Sequence, residues 1–304
     1  MVEKQPLITI LTDTKNRANL ISRCIESIQN QTYQNYEHII ADGGDDNTEE
    51  VVKSYNDPKI KYIKVCEGGP VAQTKASFSM SSGEDITFLD DDDEYLPEKL
   101  EKQLQLIQGL PSEYGFIYGA MSYYDNETKE YLYDHKAEIE GGREILPIAI
   151  SDAIVCGTPT FMFRRNVFDA IGGTWVANIG NERSDWVLAC KALAQGWKVK
   201  AMRESFVRIY INHSAVRLSD NSFYHDNACR YIKFHNYFLQ EYSDIITKDP
   251  SIAILHYRNL MYFYLEVKDI RFAWNMWIKL LKNNFGLINL ALFPYYIVKS
   301  IFLK

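Results

Sequence analysis

An open α/β sheet with helices on both faces is the fold class this sequence predicts, and three observations predict it. Short apolar runs of strand length alternate with segments of helical period through the first hundred residues. Acidic or glycine-bearing stretches follow directly on those runs, as in Ala41-Asp42-Gly43-Gly44 and Leu89-Asp90-Asp91-Asp92-Asp93. The 304 residues are 46% hydrophobic and 24% charged, the make-up of a globular chain with ample core. Such alternation gives a mainly parallel sheet, whose ligands collect at the carboxyl ends of the strands.

The elements follow in order. Leu7 to Leu11 is a strand-sized apolar run, and Asn16 to Gln31 carries Leu20, Ile21, Cys24, Ile25 and Ile28 at helical spacing. A strand at His38 to Ala41, a helix after Asn47 and a strand at Ile60 to Val65 come next. Val71 to Ser82 is helix-like and leads into the strand Ile86 to Asp90. Pro97 suits a first helical turn and opens the helix Glu98 to Gln108. Beyond Pro111, Phe116 to Tyr124 and Thr160 to Phe163 read as strands, separated by the polar segment Asp125 to Gly142. A helix at Asp185 to Gln195 stops at Gly196, and the chain from Ser222 onward reads as helical. The strand ends single out Thr12 to Lys15, Asp42 to Asp46, Cys66 to Pro70 and Asp90 to Asp93.

Composition excludes several classes. A net charge of −7 argues against nucleic-acid binding, which needs a broad basic face. Five widely spaced cysteines without a CxxC pair point to reduced core thiols rather than a disulfide scaffold. Met1 to Pro6 has no secretory pattern, so a cytoplasmic location is expected. From Arg271 onward there are basic residues (Arg271, Lys279, Lys282, Lys299, Lys304), no acidic one, and several aromatics. That pattern fits a helix lying on an anionic membrane surface, at the inner face of the cell membrane, and equally a terminal helical hairpin packed on the body. Phe285 to Leu303 is too interrupted to span a bilayer.

The run Asp90-Asp91-Asp92-Asp93-Glu94 after a buried-looking strand is the sharpest chemical feature. Like charges ~4 Å apart repel by ~1 kcal/mol in water and ~4 kcal/mol at an effective dielectric of 20. A divalent cation relieves this, and hard oxygen ligands suit Mn²⁺ or Mg²⁺. In an extended chain Asp90 and Asp92 point to one side, an Asp-x-Asp pair at the ligand edge of the sheet. A solvated acidic loop or a helix cap is the alternative. Two carboxylates leave room for phosphate oxygens, and Asp42 with Gly43 and Gly44 offers a place for a base or ribose, or simply a tight turn.

Pro6 to Gln108 resembles the nucleotide-sugar half of a family 2 glycosyltransferase of GT-A fold. The pieces NRANLISRCIESIQNQTYQNYEHIIADGG, DNTEEVV, DPKIKYIK and SSGEDITFLDDDDEYLPEKLEKQ carry the resemblance, in that order. It continues more weakly through TFMFRRNVFDAIGG and SDWVLACKALAQGWKV to about residue 215. The resemblance implies a Rossmann-like, mainly parallel sheet flanked by helices, with a C-terminal helical extension. It implies a nucleotide-sugar-binding half over 1–110, an acceptor-binding half over 111–215, and a helical region over 216–304.

The same resemblance implies an inverting, metal-dependent transfer from a nucleotide-diphosphate sugar, a UDP-sugar first, to an acceptor hydroxyl. The acceptor is a glycan or lipid-linked glycan of bacterial surface-polysaccharide type. Matched by position, Asp185 is the catalytic base, Asp90 and Asp92 hold Mn²⁺ or Mg²⁺, and Thr14, Asp42, Lys75, Asp90 and Asp91 contact the donor. Departures concern the first loop, Asp13-Thr14-Lys15-Asn16 in place of Pro-Thr-Tyr-Asn, Ala41 in place of an aspartate, and Thr74-Lys75 in place of Arg-Asn. With no tyrosine to stack on the base, Lys15 or Lys75 becomes the candidate charge for the diphosphate.

Weaker candidates are His213 as a diphosphate contact, Arg164 and Arg165 near the acceptor or flanking a helix start, and Trp175, Trp186 and Trp197 as sugar-stacking or core residues. Two other functions compete: a degenerate GT-A module that binds carbohydrate or a partner without catalysis, and a sugar-phosphate nucleotidyltransferase. The latter wants an early glycine-rich phosphate loop, which Thr12 to Arg17 lacks.

Overall fold

The computed structural model describes residues 5–67, 69–155, 157–173, 184–211, 228–284 and 286–302. They fall into two compact units, one of residues up to 145 with 154–173 and 184–211, the other of residues 146–153 with 228–302.

The first unit is built on one sheet. Its strands are β1 (Ile8–Thr14), β2 (Tyr36–Asp42), β3 (Ile60–Lys64), β4 (Asp85–Phe88), β5 (Glu94–Tyr95), β6 (Tyr114–Asp125), β7 (Tyr131–His135), β8 (Phe161–Arg164) and β9 (Lys198–Ile211). The order is β3-β2-β1-β4-β8-β6-β9-β5, with β7 added to β6. β3, β2, β1 and β4 run parallel, β8 is antiparallel to β4 and β6, and β6 and β9 are parallel. The crossovers are α1 (Ile21–Gln29), α2 (Thr48–Ser54) and α3 (Gly69–Ser79), and α4 (Lys99–Gly109) leads from β5 to β6. Every residue of β2 is buried, as expected of a central parallel strand covered on both faces. Phe116 stacks on Phe163 at 4.6 Å, and Phe163 meets Phe168 at 5.8 Å, closing the core beyond β4.

Local structure departs from the sequence pattern at three places. The helical period starting at Asn16 becomes a helix only at Ile21, because Asn16 takes a positive φ of 55° and residues 17–20 form a turn. The strand before the acidic run stops at Phe88, and Asp90 to Asp93 turns, with Asp93 N donating to Asp90 O at 3.2 Å. The chain there is not extended, yet alternation survives: Asp91 and Asp93 are buried, Asp90 is exposed and Asp92 half-buried. The polar segment Asp125 to Gly142 contains β7, whose five residues are all exposed.

Other expectations need correction. Cys24 and Cys190 are buried, but Cys66 and Cys229 are exposed thiols on the surface, and Cys156 lies outside the described residues. Arg164 donates to the carbonyls of Tyr114 and Ile107, and Arg165 to that of Gly83 and to Ser81. Both therefore hold backbone together where α6 (Arg165–Ala170) begins, flanking a helix start rather than reaching toward an acceptor. Trp186 is a core residue on α7 (Ser184–Ala194), and Trp197 is half-buried. Trp175 and His213 lie outside the described residues.

The second unit is helical: α5 (Leu146–Ser151), α8 (Ala228–Glu241), α9 (Ser243–Lys248), α10 (Ile254–Glu266), α11 (Ile270–Asn283) and α12 (Leu287–Phe302). Leu260, Met261, Leu265, Ala273, Met276, Trp277 and Phe293 form its core. Trp277 stacks on Phe293 at 5.3 Å and donates its indole N–H to Asn289 O at 2.8 Å. Among the described residues no helix is long and apolar enough to cross a membrane.

Candidate active site

The carboxyl ends of β1, β2 and β4 bring the predicted residues to one edge of the sheet. Parallel pairing sets Thr14 beside Asp42 and Leu11 beside Phe88, so the chain leaves β1, β2 and β4 at neighbouring points. Thr12 donates its hydroxyl to Leu89 O at 2.8 Å, and Gly43 N donates to Thr14 O at 2.9 Å. Gln73 on α3 reaches under the edge, donating to Thr14 O at 2.7 Å and Ala41 O at 3.0 Å.

Asp42 is fully buried at the end of β2. Its Oδ1 accepts from Gly44 N at 2.7 Å, and its Oδ2 from Tyr62 Oη at 2.7 Å and Lys64 Nζ at 3.1 Å. The carboxylate is thus spent on internal partners and shapes the loop behind it. Asp91 is also internal: Thr14 donates to its Oδ2 at 2.7 Å and Arg17 Nη1 to its Oδ1 at 2.9 Å. The same Nη1 lies 2.9 Å from Asp92 Oδ2. Arg23 donates to the backbone carbonyl of Asp92 and to Asn126 Oδ1 (2.9 Å), with its guanidinium 3.8 Å above the Tyr210 ring. Asp93 and Glu94 face the other way, accepting from Tyr210 N at 3.1 Å and Tyr210 Oη at 2.6 Å.

The charge distribution is lopsided. Burial, and then the charge of Asp91, raise the Asp13 carboxyl to about 7, against the lowering effect of the Thr74 hydroxyl 2.5 Å away. The protein packed around Asp90, followed by Asp92, Asp91 and Asp13, pushes its carboxyl up to about 7 as well, although the residue keeps an exposed side. Asp91 is raised to about 6 by burial, and Arg17 and Thr14 restrain that rise. Asp13 Oδ1 is buried without a hydrogen-bond partner. Among the described residues, the carboxylates of this acid knot pair with the guanidinium of Arg17, on Asp91 and Asp92.

Thr14, Asp42, Asp90, Asp91 and Asp92 thus gather at one sheet edge. Lys75 is exposed on α3, and Asp185 is half-buried in the first turn of α7, within the same unit. Arg17 and Arg23 are absent from the residues read off the sequence, and Asp13 lies in the strand end Thr12 to Lys15 without a role of its own there. The available signal for Arg17 was its place two residues beyond that strand end, and nothing local marks Arg23. The buried Lys99 Nζ, its pKa pushed well down by burial, donates to Thr87 and to Tyr95 (3.0 Å), which flank the acidic run in sequence.

Residues 9–172, more than half of the chain, match the model of "Glycosyl transferase family 2". The chain belongs to glycosyl transferase family 2. Similar in sequence is an uncharacterized glycosyltransferase of Haemophilus influenzae, 29% identical over 60% of this chain and 61% of its own length. Another is the GalNAc(5)-diNAcBac-PP-undecaprenol beta-1,3-glucosyltransferase of Campylobacter jejuni, 34% identical over 38% of each. The chain spans less than half the length of several curated relatives, 22% of one from Rickettsia felis and 45% of one from Rickettsia prowazekii.

In structure, the chain is similar to S. aureus TarS 1-349 in complex with UDP-GlcNAc. The TM-score is 0.59 at 13% identity, over 97% of this chain and 80% of that one. The mannosyltransferase PcManGT of Pyrobaculum calidifontis, in complex with GDP-Man and Mn²⁺, gives 0.53 at 16%, over 99% and 82%. These likenesses concern the fold, the GT-A fold that the sequence resemblance implied.

Proposed function

We propose that the protein is a metal-dependent, inverting glycosyltransferase that moves a sugar from a nucleotide-diphosphate sugar to a glycan hydroxyl. The observation that carries this reading is the acid knot at the carboxyl edge of β1 and β4, where Asp90 stands exposed beside Asp91 and Asp92, both 2.9 Å from Arg17 Nη1. Among the described residues no three His, Cys, Asp or Glu side chains are grouped to hold an ion by themselves, so the fit is that of two crowded carboxylates, Asp90 and Asp92, with phosphate oxygens completing the set. Asp90 and Asp92 would hold Mn²⁺ or Mg²⁺. Bound there, the ion supplies Lewis-acid stabilisation of the departing diphosphate, worth several kcal/mol in such sites.

The chain's own residues do the rest. The loop behind Asp42, shaped by Tyr62 and Lys64, receives the nucleoside, and Thr14 and Asp91 set the floor on which the diphosphate rests. Exposed Lys75 and Lys15 bring positive charge to the phosphates. Asp185 takes the proton of the attacking hydroxyl as the new C–O bond forms at the anomeric carbon. The old anomeric C–O bond breaks on the opposite face, and its electron pair leaves with the nucleoside diphosphate. General-base help of this kind contributes roughly 10²–10⁴-fold.

UDP is the first nucleotide to test, because the TarS structure holds UDP-GlcNAc. A lipid-linked glycan is the acceptor class to test, since the Campylobacter relative carries an undecaprenol-linked one in its name. The second unit supports work at a cytoplasmic membrane face. Ile270, Trp274, Ile288 and Tyr295 are exposed on α11 and α12, close in sequence to the exposed cations Arg271, Lys279 and Lys282.

A panel of UDP- and GDP-sugars with Mn²⁺ and glycan acceptors tests the reading by product formation. Asp185→Asn should keep donor binding and lose transfer by about 10²-fold or more. Transfer at the wild-type rate in Asp185→Asn removes Asp185 from the mechanism. Binding without turnover for every donor and acceptor would mark a degenerate module instead.

A further inference from the structure

Arg17 has no part in the donor reading above, yet it occupies the centre of the acid knot. Its Nη1 is 2.9 Å from Asp91 Oδ1 and 2.9 Å from Asp92 Oδ2. The two contacts are unequal. Asp91 has a side chain only 5% exposed, and its second oxygen is held by Thr14, so that end is anchored. Asp92 has a side chain 21% exposed on the turn, so that end can let go. The Arg17 side chain is itself 36% exposed, and among the described residues its Nε and Nη2 donate to nothing. A guanidinium carries five donors in a planar fork suited to phosphate oxygens.

We propose that Arg17 is an exchangeable counter-ion. Before ligand arrives it neutralises Asp92. When a divalent ion and a nucleoside diphosphate bind, it keeps Asp91, yields Asp92 to the ion and turns its spare N–H groups to the diphosphate oxygens. The inference rests on the donor reading above and adds a regulation to that site.

The physical consequence is a coupling between two ligands. Arriving alone, the ion must displace a guanidinium that gains no replacement acceptor. Arriving with the diphosphate, it meets a guanidinium that exchanges one carboxylate oxygen for phosphate oxygens. Each ligand therefore raises the affinity of the other by the same factor, beyond their direct attraction. The planar fork matters as well as the charge, because Nη1 must hold Asp91 while Nε and Nη2 turn to the diphosphate.

The test is Mn²⁺ binding followed by electron paramagnetic resonance of the free ion, with and without UDP, so no turnover is read. Wild type should bind Mn²⁺ weakly alone and at least about tenfold more tightly with UDP. Arg17→Gln should bind Mn²⁺ alone about tenfold more tightly than wild type and show a coupling reduced about tenfold. Arg17→Lys keeps the charge but not the fork, and its coupling should fall between the two. It also carries the test if Arg17→Gln loses its cooperative thermal transition.

Equal affinities and equal coupling in wild type and both variants overturn the exchange while leaving the donor reading intact. Coupling in Arg17→Lys equal to wild type also overturns it, since charge alone would then suffice. If wild type binds no Mn²⁺ even with UDP, the donor reading falls, and the exchange falls with it.

Discussion

His235 donates its Nδ1–H to Nδ1 of His256, 2.9 Å away, inside the helical unit. The tautomers follow from the neighbours. Ile150 O can only accept, so His256 carries its proton on Nε2, 2.9 Å from that carbonyl, and its Nδ1 is the acceptor. Asn259 Nδ2 lies 3.3 Å from His235 Nε2 and donates to it, so the chain of bonds closes with both rings neutral. Burial holds His256 down at about 4, below its ordinary 6.5.

Acid should therefore loosen this unit. As pH falls below 6.5 the unfolded chain takes the His256 proton while the folded chain refuses it until about 4. The stability contribution is full above 6.5 and is lost across that window, by up to about 3 kcal/mol. Buried His38, held near 3, adds a parallel loss. Denaturant melts of wild type and His256→Gln at pH 7.5 and 4.5 isolate the histidine, since His38 is common to both. Identical pH losses in the two proteins would contradict the assignment.

Asp90 should act in the opposite sense. Its folded pKa is raised from 3.8 to about 7, so the ionised carboxylate destabilises the fold increasingly from pH 4 and fully above 7. Discounted for its open, water-facing side, the effect is about 1 kcal/mol. Asp90→Asn should melt later than wild type at pH 8, match it near pH 4, and bind Mn²⁺ more weakly. A destabilised variant at pH 8 would show that the acid knot is not under strain.

Gly44 is the closest approach between the first two loops. A Cβ there would lie 2.3 Å from the backbone N of Asn16 and 2.4 Å from its Oδ1, the atom that accepts from Asp45 N at 2.7 Å. Backbone cannot yield as a flexible side-chain end can. Gly44→Ala should cost about 1–3 kcal/mol in a thermal or denaturant melt and lower UDP affinity by shifting the loop that carries Thr14 and Arg17. An unchanged melting temperature would mean that the two loops move apart freely.

The exposed apolar residues of α11 and α12 predict binding to anionic vesicles that falls with salt. Ile270→Glu combined with Ile288→Glu should abolish co-sedimentation with phosphatidylglycerol vesicles at little cost in stability, because the two residues are 58% and 79% exposed. Vesicle binding that survives both the double variant and removal of residues 285–304 would place the contact elsewhere.

The sequence by itself determined the parallel half of the sheet, the helices that cross it and the place of the acid run. Burial writes itself locally, as the short apolar runs inside β1 and β2 and the Ile21, Cys24, Ile25, Ile28 stripe of α1. β7 escaped that reading because no residue of it is buried, so no period marks it. What only the tertiary structure decided was who meets whom. Arg17 reaches Asp91 across 74 residues of chain, His235 meets His256, and Tyr62 with Lys64 saturates Asp42. A hydrogen bond or ion pair depends on where two loops end to within a few tenths of an ångström, and periodicity carries no such distance.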